Sequence, residues 1–382
     1  MRRVGLVISE ASTYGRDVLR GVFRYAHART DWLIHATPDN LVSQRLRPWR
    51  PDGIICHAWP SGLPTLRGLR CPVVNTLAAA RRGAWPNAVV TTDDVAIGKL
   101  AAEHFLDRGF RHFAFCGRRG KLFSKRRGEG FCQRLKAERV VPDVHEVEED
   151  DPAPGRGPYF ARSDAARVSW LRSLPKPVAA FACNDMIALQ LAIACQVGGL
   201  DIPEEVALLG VGNEDVFCDR AQRPLSSIDL PGQQVGYRAA ELLQHLMSGG
   251  KHPSRPILLS PRGVVTRASS DITAIEDAEV AAACGFIRDR FAEGIDTSDV
   301  VRAGRLSRRM LERRFKRSLG RTLAREITRV RIDHAKRLLG DTEMSMPQIA
   351  ERIGLANAER LSVAFRRATG MTPSAYRRQS RF

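Results

Sequence analysis

Ser307-Arg-Arg-Met-Leu-Glu-Arg-Arg-Phe-Lys316 and Asn357-Ala-Glu-Arg-Leu-Ser-Val-Ala-Phe-Arg366 are two copies of one pattern in a chain of 382 residues. Each opens on a polar residue suited to capping a helix, and a leucine and a phenylalanine four residues apart then mark an apolar stripe. Outside that stripe fall Arg308, Arg309, Glu312, Arg313 and Lys316 in the first copy, and Glu359, Arg360, Ser362, Val363 and Arg366 in the second. Each copy ends in a glycine, Gly320 or Gly370.

A shorter helical segment with a glycine turn precedes each copy: Thr297 to Ala303 with Gly304, and Ser345 to Arg352 with Gly354. Helix, tight turn and basic second helix make up a helix-turn-helix, here present twice. Between the copies, Thr322 to Leu339 reads as one amphipathic helix stopped by Gly340. Its length of about 27 Å approaches the roughly 34 Å that separates successive major-groove faces on one side of a duplex. A helix of that length suits two recognition helices set along one DNA.

Arginines on a helix often do no more than keep a face in water, so their distribution matters. Residues 278–382 hold 23 Lys and Arg against 12 Asp and Glu, a net +11 of the chain's +18. That concentration points to a polyanionic partner, double-stranded DNA. These hundred residues resemble the AraC family of transcription regulators, through Ser307 to Lys316, Ile349-Ala350 followed by Gly354, and Gly370-Met-Thr-Pro-Ser-Ala-Tyr-Arg377. Two departures are Leu355, where most members have Phe, and Val363, at an often polar position. The resemblance implies base reading by Arg309, Glu312 and Arg313 in one groove segment and by Glu359, Arg360 and Ser362 in the next. Arg308, Lys316, Val363 and Arg366 belong to the same DNA-binding faces.

Composition excludes several other classes. No apolar run reaches membrane-spanning length, and Val4 to Ile8 is too short for a signal peptide, so a cytoplasmic protein is expected. The eight cysteines are scattered without Cys-x-x-Cys, which argues against a disulfide framework or a zinc site. There is no His-Glu-x-x-His, no phosphate-cradling Gly-x-x-x-x-Gly-Lys-Ser/Thr and no Gly-x-Ser-x-Gly. Gly210-x-Gly212 lacks the third glycine of a dinucleotide fingerprint. No enzyme, catalytic residue, metal or cofactor is expected.

Upstream, short apolar runs alternate with helical patterns. Strands are expected at Val4 to Ile8, Leu33 to Ala36, Gly53 to Cys56, Val73 to Asn75, Val89 to Thr91, Phe113 to Cys116, Val178 to Ala182, Val206 to Val211 and Ile257 to Leu259. Helices are expected at Arg16 to Ala28, Val95 to Arg108, Arg126 to Arg139, Ala165 to Ser173, Met186 to Val197 and Gln233 to Met247. Such alternation means parallel sheets of β-α-β units, and the strand count suggests two lobes. Glu146 to Ser163 reads as an acidic, then Pro- and Gly-rich loop. The stretch from Thr266 to Glu276 turns small and polar and reads as a linker. The expected division is a two-lobed α/β ligand-binding domain over 1–267, a linker over 268–277, and an all-α double helix-turn-helix domain over 278–382.

The upstream region resembles the sugar-sensing core of LacI-type regulators and periplasmic sugar-binding proteins of type I. The matching phrases are Tyr14-Gly-Arg16, Thr92-Asp-Asp94, Arg127-Gly-Glu-Gly-Phe131, Ala182-Cys-Asn-Asp185, Gly210-Val-Gly-Asn-Glu214 and Pro224-Leu-Ser-Ser-Ile228. The whole chain is similar to the xylose-operon regulators, which join such a core to an AraC-type tail. Open α/β sheets bind ligands at the carboxyl ends of their strands, where nearly all these phrases fall. Sugar hydroxyls pair with carboxylates, amides and Arg, and an aromatic ring covers the C–H face. The resemblance implies Asp93, Arg127, Asn184 and Asn213 as the hydroxyl-binding set, then Tyr14, Arg16, Asp185 and Glu214, with Trp59 and Phe123 as aromatic partners. Many relatives have Asp at Gly212, which leaves the identity of the sugar open, with Glu214 as a substitute ligand. Asp94 and Asp185 have a competing role as helix caps.

The expectation is a sequence-specific transcription regulator, an activator of genes for xylose or a related pentose, controlled by sugar and acting as a homodimer with RNA polymerase. Alternatives are a repressor, a regulator of another ligand, or a sugar-binding protein or enzyme with a basic tail.

Overall fold

The computed structural model describes residues 1–37, 42–57, 63–77, 88–148, 164–272 and 277–380. The first lobe is built by β1 (Arg3–Val7), α1 (Thr13–Arg29), β2 (Leu33–Ala36), α2 (Val42–Trp49), β3 (Gly53–Cys56), α3 (Leu63–Arg67), β4 (Val73–Asn75) and β5 (Ala88–Thr92). The second follows with α4 (Asp94–Leu106), β6 (His112–Arg118), α5 (Leu122–Lys136), β7 (Asp143–Val147), α6 (Asp164–Ser173), β8 (Val178–Ala182), α7 (Asp185–Gly198), β9 (Val206–Val211), α8 (Asp215–Cys218) and β10 (Ser226–Asp229). The chain then returns to the first lobe with α9 (Gly232–Met247) and β11 (Ile257–Leu259), and to the second with β12 (Gly263–Val265).

Two six-stranded sheets result, ordered β11-β5-β4-β3-β1-β2 and β12-β10-β9-β8-β6-β7. All pairings are parallel except β10 with β12. Strands covered by helices on both faces must be apolar throughout, and β8 and β9 are buried at every residue. That is why these strands were legible as runs.

Three strands were not. β7 is exposed along most of its length at the sheet edge, so Asp143-Val-His-Glu-Val carries no apolar run. The expected loop from Glu146 therefore begins two residues inside a strand, and its residues 149–163 lie outside the described residues. β10 hides its polarity, because the Ser226 and Ser227 side chains are fully buried and hydrogen bonded.

The backbone crosses between the lobes three times: at Asp93, between β10 and α9, and between β11 and β12. Hydrogen bonds draw these crossings together, from Asp93 N to Leu259 O at 2.8 Å and from Arg262 N to Asp229 O at 3.0 Å. Three adjacent crossings form a hinge.

After β12, residues 268–270 of the expected linker form a single 3-10 turn with Ser269 and Ser270 buried in the second lobe. The tail comprises α10 (Ala278–Arg290), α11 (Thr297–Ala303), α12 (Arg308–Leu319), α13 (Leu323–Asp341), α14 (Met346–Arg352), α15 (Ala358–Thr369) and α16 (Pro373–Ser380). It has two cores along one helix. Leu323, Ile327 and Val330 of α13 pack with Leu311 and Phe315, whereas Ile332, Ala335 and Leu339 pack with Leu361 and Phe365. Gly340 does not stop α13, which continues to Asp341 and is capped by Thr342 bonding back to Leu338. A helical glycine costs only about 1 kcal/mol, too little to end a helix held by two cores.

Candidate functional site

The cleft between the lobes gathers the carboxyl ends of β1, β3, β4, β5, β8 and β9. On one side Arg127 and Asp94 form a buried pair at 2.9 Å, with side chains 7% and 2% exposed, and Arg127 also donates to Cys183 O at 2.6 Å. The Arg127 guanidinium lies 4.9 Å from the Phe123 ring centroid. Burial pushes the Asp94 carboxyl up while Arg127 pulls it down. Tyr14 packs against both lobe cores, and its phenol is pushed up by burial and by nearby Asp94.

His57 stacks edge-on to Tyr14 with centroids 5.4 Å apart and meets Thr76 Oγ1 at 3.0 Å. Because that hydroxyl donates to Cys56 O, it accepts from the imidazole, which places the proton on Nδ1. Burial holds this histidine down at about 4.

On the other side Glu214 reaches across the cleft. Its carboxylate accepts from the Thr13 backbone N–H, from Thr13 Oγ1 at 2.7 Å and from Arg16 at 3.2 Å. Asp185 stands behind it, accepting from Glu214 N at 2.8 Å and Ser227 Oγ at 2.6 Å, and burial pushes it up to about 6. Asp185 so positions the β9–α8 turn, where Gly212 has φ 128° and Asn213 has φ 51°. A Cβ on Gly212 would sit 3.2 Å from Asp185 Oδ2. A side chain there would crowd that carboxylate, and the backbone conformation itself favours glycine. Asn213 accepts from Arg267 at 2.8 Å through its side-chain oxygen.

Capping falls one residue earlier than the competing reading placed it. Asp93 and Asn184 cap α4 and α7, accepting from Ala96 N at 3.0 Å and Ile187 N at 2.9 Å, while Asp94 and Asp185 point into the interior. The structure brings Tyr14, Phe123 and Arg127 into one cluster and Arg16, Asp185 and Glu214 into another. Asp93 sits on the hinge. Trp59 lies outside the described residues. Thr13, His57, Thr76, Ser227 and Arg267 complete the cleft but were not singled out. Arg267 falls where the sequence reads as linker, Ser227 lies inside the phrase Pro224 to Ile228 without being assigned a role, and Thr13, His57 and Thr76 are ordinary polar residues without a motif.

On the tail, the helices of both helix-turn-helix units are as the spacing predicts. Asn357 caps α15 by accepting from Arg360 N at 2.9 Å, whereas Ser307 precedes α12 without a side-chain cap bond. Leu311, Phe315, Leu361 and Phe365 are buried, each contributing about 1.5–3 kcal/mol. The opposite faces are open. Arg308, Arg309, Glu312, Arg313, Lys316, Glu359, Arg360, Val363 and Arg366 are exposed, and Ser362 is half-buried. Arg308 pairs with Glu312 at 3.3 Å, but Arg309, Lys316, Arg360 and Arg366 form no ion pair among the described residues.

Residues 102–270 match the periplasmic binding protein-like domain family and residues 300–379 a helix-turn-helix domain family. The xylose operon regulatory protein of Escherichia coli K12 is 27% identical over 383 residues, covering 98% of this chain and 96% of its own length. That of Haemophilus influenzae is also 27% identical, over 387 residues and 98% of both chains. This chain is similar to the xylose operon regulators along its whole length. Both alignments run nearly from end to end of the two chains, through the sensor lobes and the helix-turn-helix tail alike. A solved structure of a xylose-binding transcription activator is 27% identical with a TM-score of 0.63, covering 100% of this chain and 99% of that one. A cellobiose-bound transcriptional regulator, 20% identical with a TM-score of 0.55 over 70% of this chain, shares the fold of the lobes. Among the described residues no helix is long and apolar enough to cross a membrane.

Proposed function

We infer that this chain activates transcription of pentose-utilisation genes in the cytoplasm, as a homodimer that recruits RNA polymerase, and that D-xylose or a related pentose held in the cleft controls it. The sensor spans 1–267, the joint falls within 268–277, and the DNA-binding unit spans 278–382. One observation carries the reading: a hinged, polar cleft and two open basic recognition helices occur in one chain, in the order found along the full length of the xylose operon regulators.

In the cleft, Arg16, Arg127 and the Asn184 amide donate to sugar hydroxyls, Asp93 and Glu214 accept from them, and Phe123 and Tyr14 cover the ring face. Asn213 orients the turn through Arg267, and Asp185 supports Glu214. On DNA, Lys and Arg contacts to phosphates supply salt-dependent affinity, and Arg309, Arg313 and Arg360 read base edges, guanine being the natural partner of Arg. Lobe closure on the sugar changes how two subunits present their tails.

A thermal-shift screen of the full chain against pentoses and hexoses tests the ligand, since a molecule that binds only the folded state raises its melting temperature. Stabilisation by D-xylose and not by hexoses supports the assignment. A response confined to another class of molecule overturns it.

A further inference from the structure

α12 and α15 repeat one buried pattern, and they part company at the centre of the exposed face. Both are 12 residues long, and Leu311 with Phe315 matches Leu361 with Phe365 as the buried stripe. At about 100° per residue, the position two after the leucine lies roughly 200° around the helix, opposite that stripe. Arg313 occupies it on α12 and Val363 on α15. Val363 is 70% exposed, and Glu359, Arg360, Arg366 and Arg367 surround it, all exposed as well.

A lone valine on a protein surface carries no message by itself. At the outward pole of a recognition helix it decides what that helix can read, because its side chain has neither donor nor acceptor. The major-groove edges of guanine, cytosine and adenine are polar, and thymine alone adds an apolar C5 methyl group. Pressing an isopropyl group against a polar edge removes water and returns no hydrogen bond. Against the methyl, two apolar surfaces leave water together.

Arg313 has the opposite chemistry, a fork of donors that fits O6 and N7 of guanine. The neighbouring position is exchanged in the reverse sense, since Met310, 38% exposed, stands where α15 has Arg360. The Arg313 guanidinium lies beside it, 3.4 Å from Met310 Sδ. At these two positions each helix therefore carries one apolar and one guanidinium group, in opposite order.

We propose that Val363 is a specificity-determining residue that reads a thymine methyl, so that the two subsites of one operator site are unlike. Guanine stands at the centre of the segment under α12, and thymine at the centre of the segment under α15. Two identical recognition helices could slip along a repeated sequence by one subsite. Unlike ones fix both register and direction on the duplex. This deepens, and rests on, the reading of the tail as a double helix-turn-helix that binds DNA.

The test uses the full chain and a duplex selected by the wild type from random sequence. Each thymine in turn is replaced by uracil, which removes the C5 methyl and nothing else. Demethylation of one thymine should weaken wild-type binding about fourfold, as one methyl group no longer withdrawn from water implies. The same change should cost Val363→Ser nothing, and Val363→Arg should select guanine in place of that thymine. Both variants alter an exposed position, and a thermal melt of each checks its fold. No thymine sensitive to demethylation, an equal penalty beside Val363→Ser, or an unchanged selected sequence with Val363→Arg would each overturn the proposal and leave the chain a DNA-binding regulator. Failure of the wild type to enrich any duplex would overturn the DNA-binding reading itself, and the proposal with it.

Discussion

Glu214 Oε1 in the second lobe accepts from Thr13 Oγ1 in the first at 2.7 Å, and from Arg16 at 3.2 Å. This clasp joins the lobes across the cleft. A ligand that binds only the closed form has its apparent affinity reduced by the fraction of chains that are open. Glu214→Gln removes the charge that strengthens the clasp, though the exposure of Arg16 limits its contribution. D-Xylose affinity should fall about tenfold by calorimetry, through the loosened clasp and the weakened sugar contact together, and a larger ligand-free radius of gyration by small-angle scattering reports the clasp alone. Unchanged values for both would show that the clasp does not govern closure.

His57 offers a test by acidity. Its pKa of about 4 in the folded chain lies below the ordinary 6.5, so the unfolded chain takes up a proton first as pH falls. A depressed pKa gives stability that is complete above 6.5 and is lost on the way down to about 4. From that interval the loss is about 3 kcal/mol. In urea titrations from pH 7 to pH 4, wild type should lose more stability than His57→Gln, by an amount of that order. Parallel curves would mean that His57 is not held neutral in this way.

The two turn glycines look equivalent in the sequence and are not equivalent in the fold. Gly354 has φ 72°, and a Cβ there would lie 2.4 Å from Phe291 O. Gly304 has φ −92°, and its Cβ would meet nothing closer than 3.7 Å. Gly354→Ala should cost roughly 1–3 kcal/mol for the backbone region alone, with the clash in addition, whereas Gly304→Ala should be near neutral. Denaturant melts of the full chain, following the tail's transition, compare the two.

Those glycines show where sequence reading stops. Buried parallel strands and capped amphipathic helices are local patterns, so β8, β9, α12 and α15 could be read residue by residue. β7, β10 and β12 could not, because β7 is a polar edge strand, β12 is only Gly263-Val-Val265, and β10 buries serines whose partners lie in distant segments. In the cleft, family phrases located Arg127 and Glu214 but could not say that Asp185 props Glu214 from behind, or that Asp93 and not Asp94 caps α4. Arg267 looked like linker because its partners, Asn213 and Leu225 O, are more than forty residues away in sequence. Contacts across the fold leave no periodic trace.

Arg309 is exposed on α12 without an ion pair among the described residues, whereas Arg308 is engaged by Glu312 and Thr297. Arg309→Ala should lose roughly 1–3 kcal/mol of discrimination at one or two base positions. Binding to a panel of single-base operator variants measures it. Equal loss on every sequence would make Arg309 a phosphate contact.

The most direct measurement is a fluorescence-anisotropy titration of the full chain on its selected duplex, with and without saturating D-xylose, at two salt concentrations. The account predicts binding that weakens steeply with salt and changes at least fivefold with the sugar. Affinity that ignores D-xylose while the sugar raises the melting temperature of the same protein would contradict it.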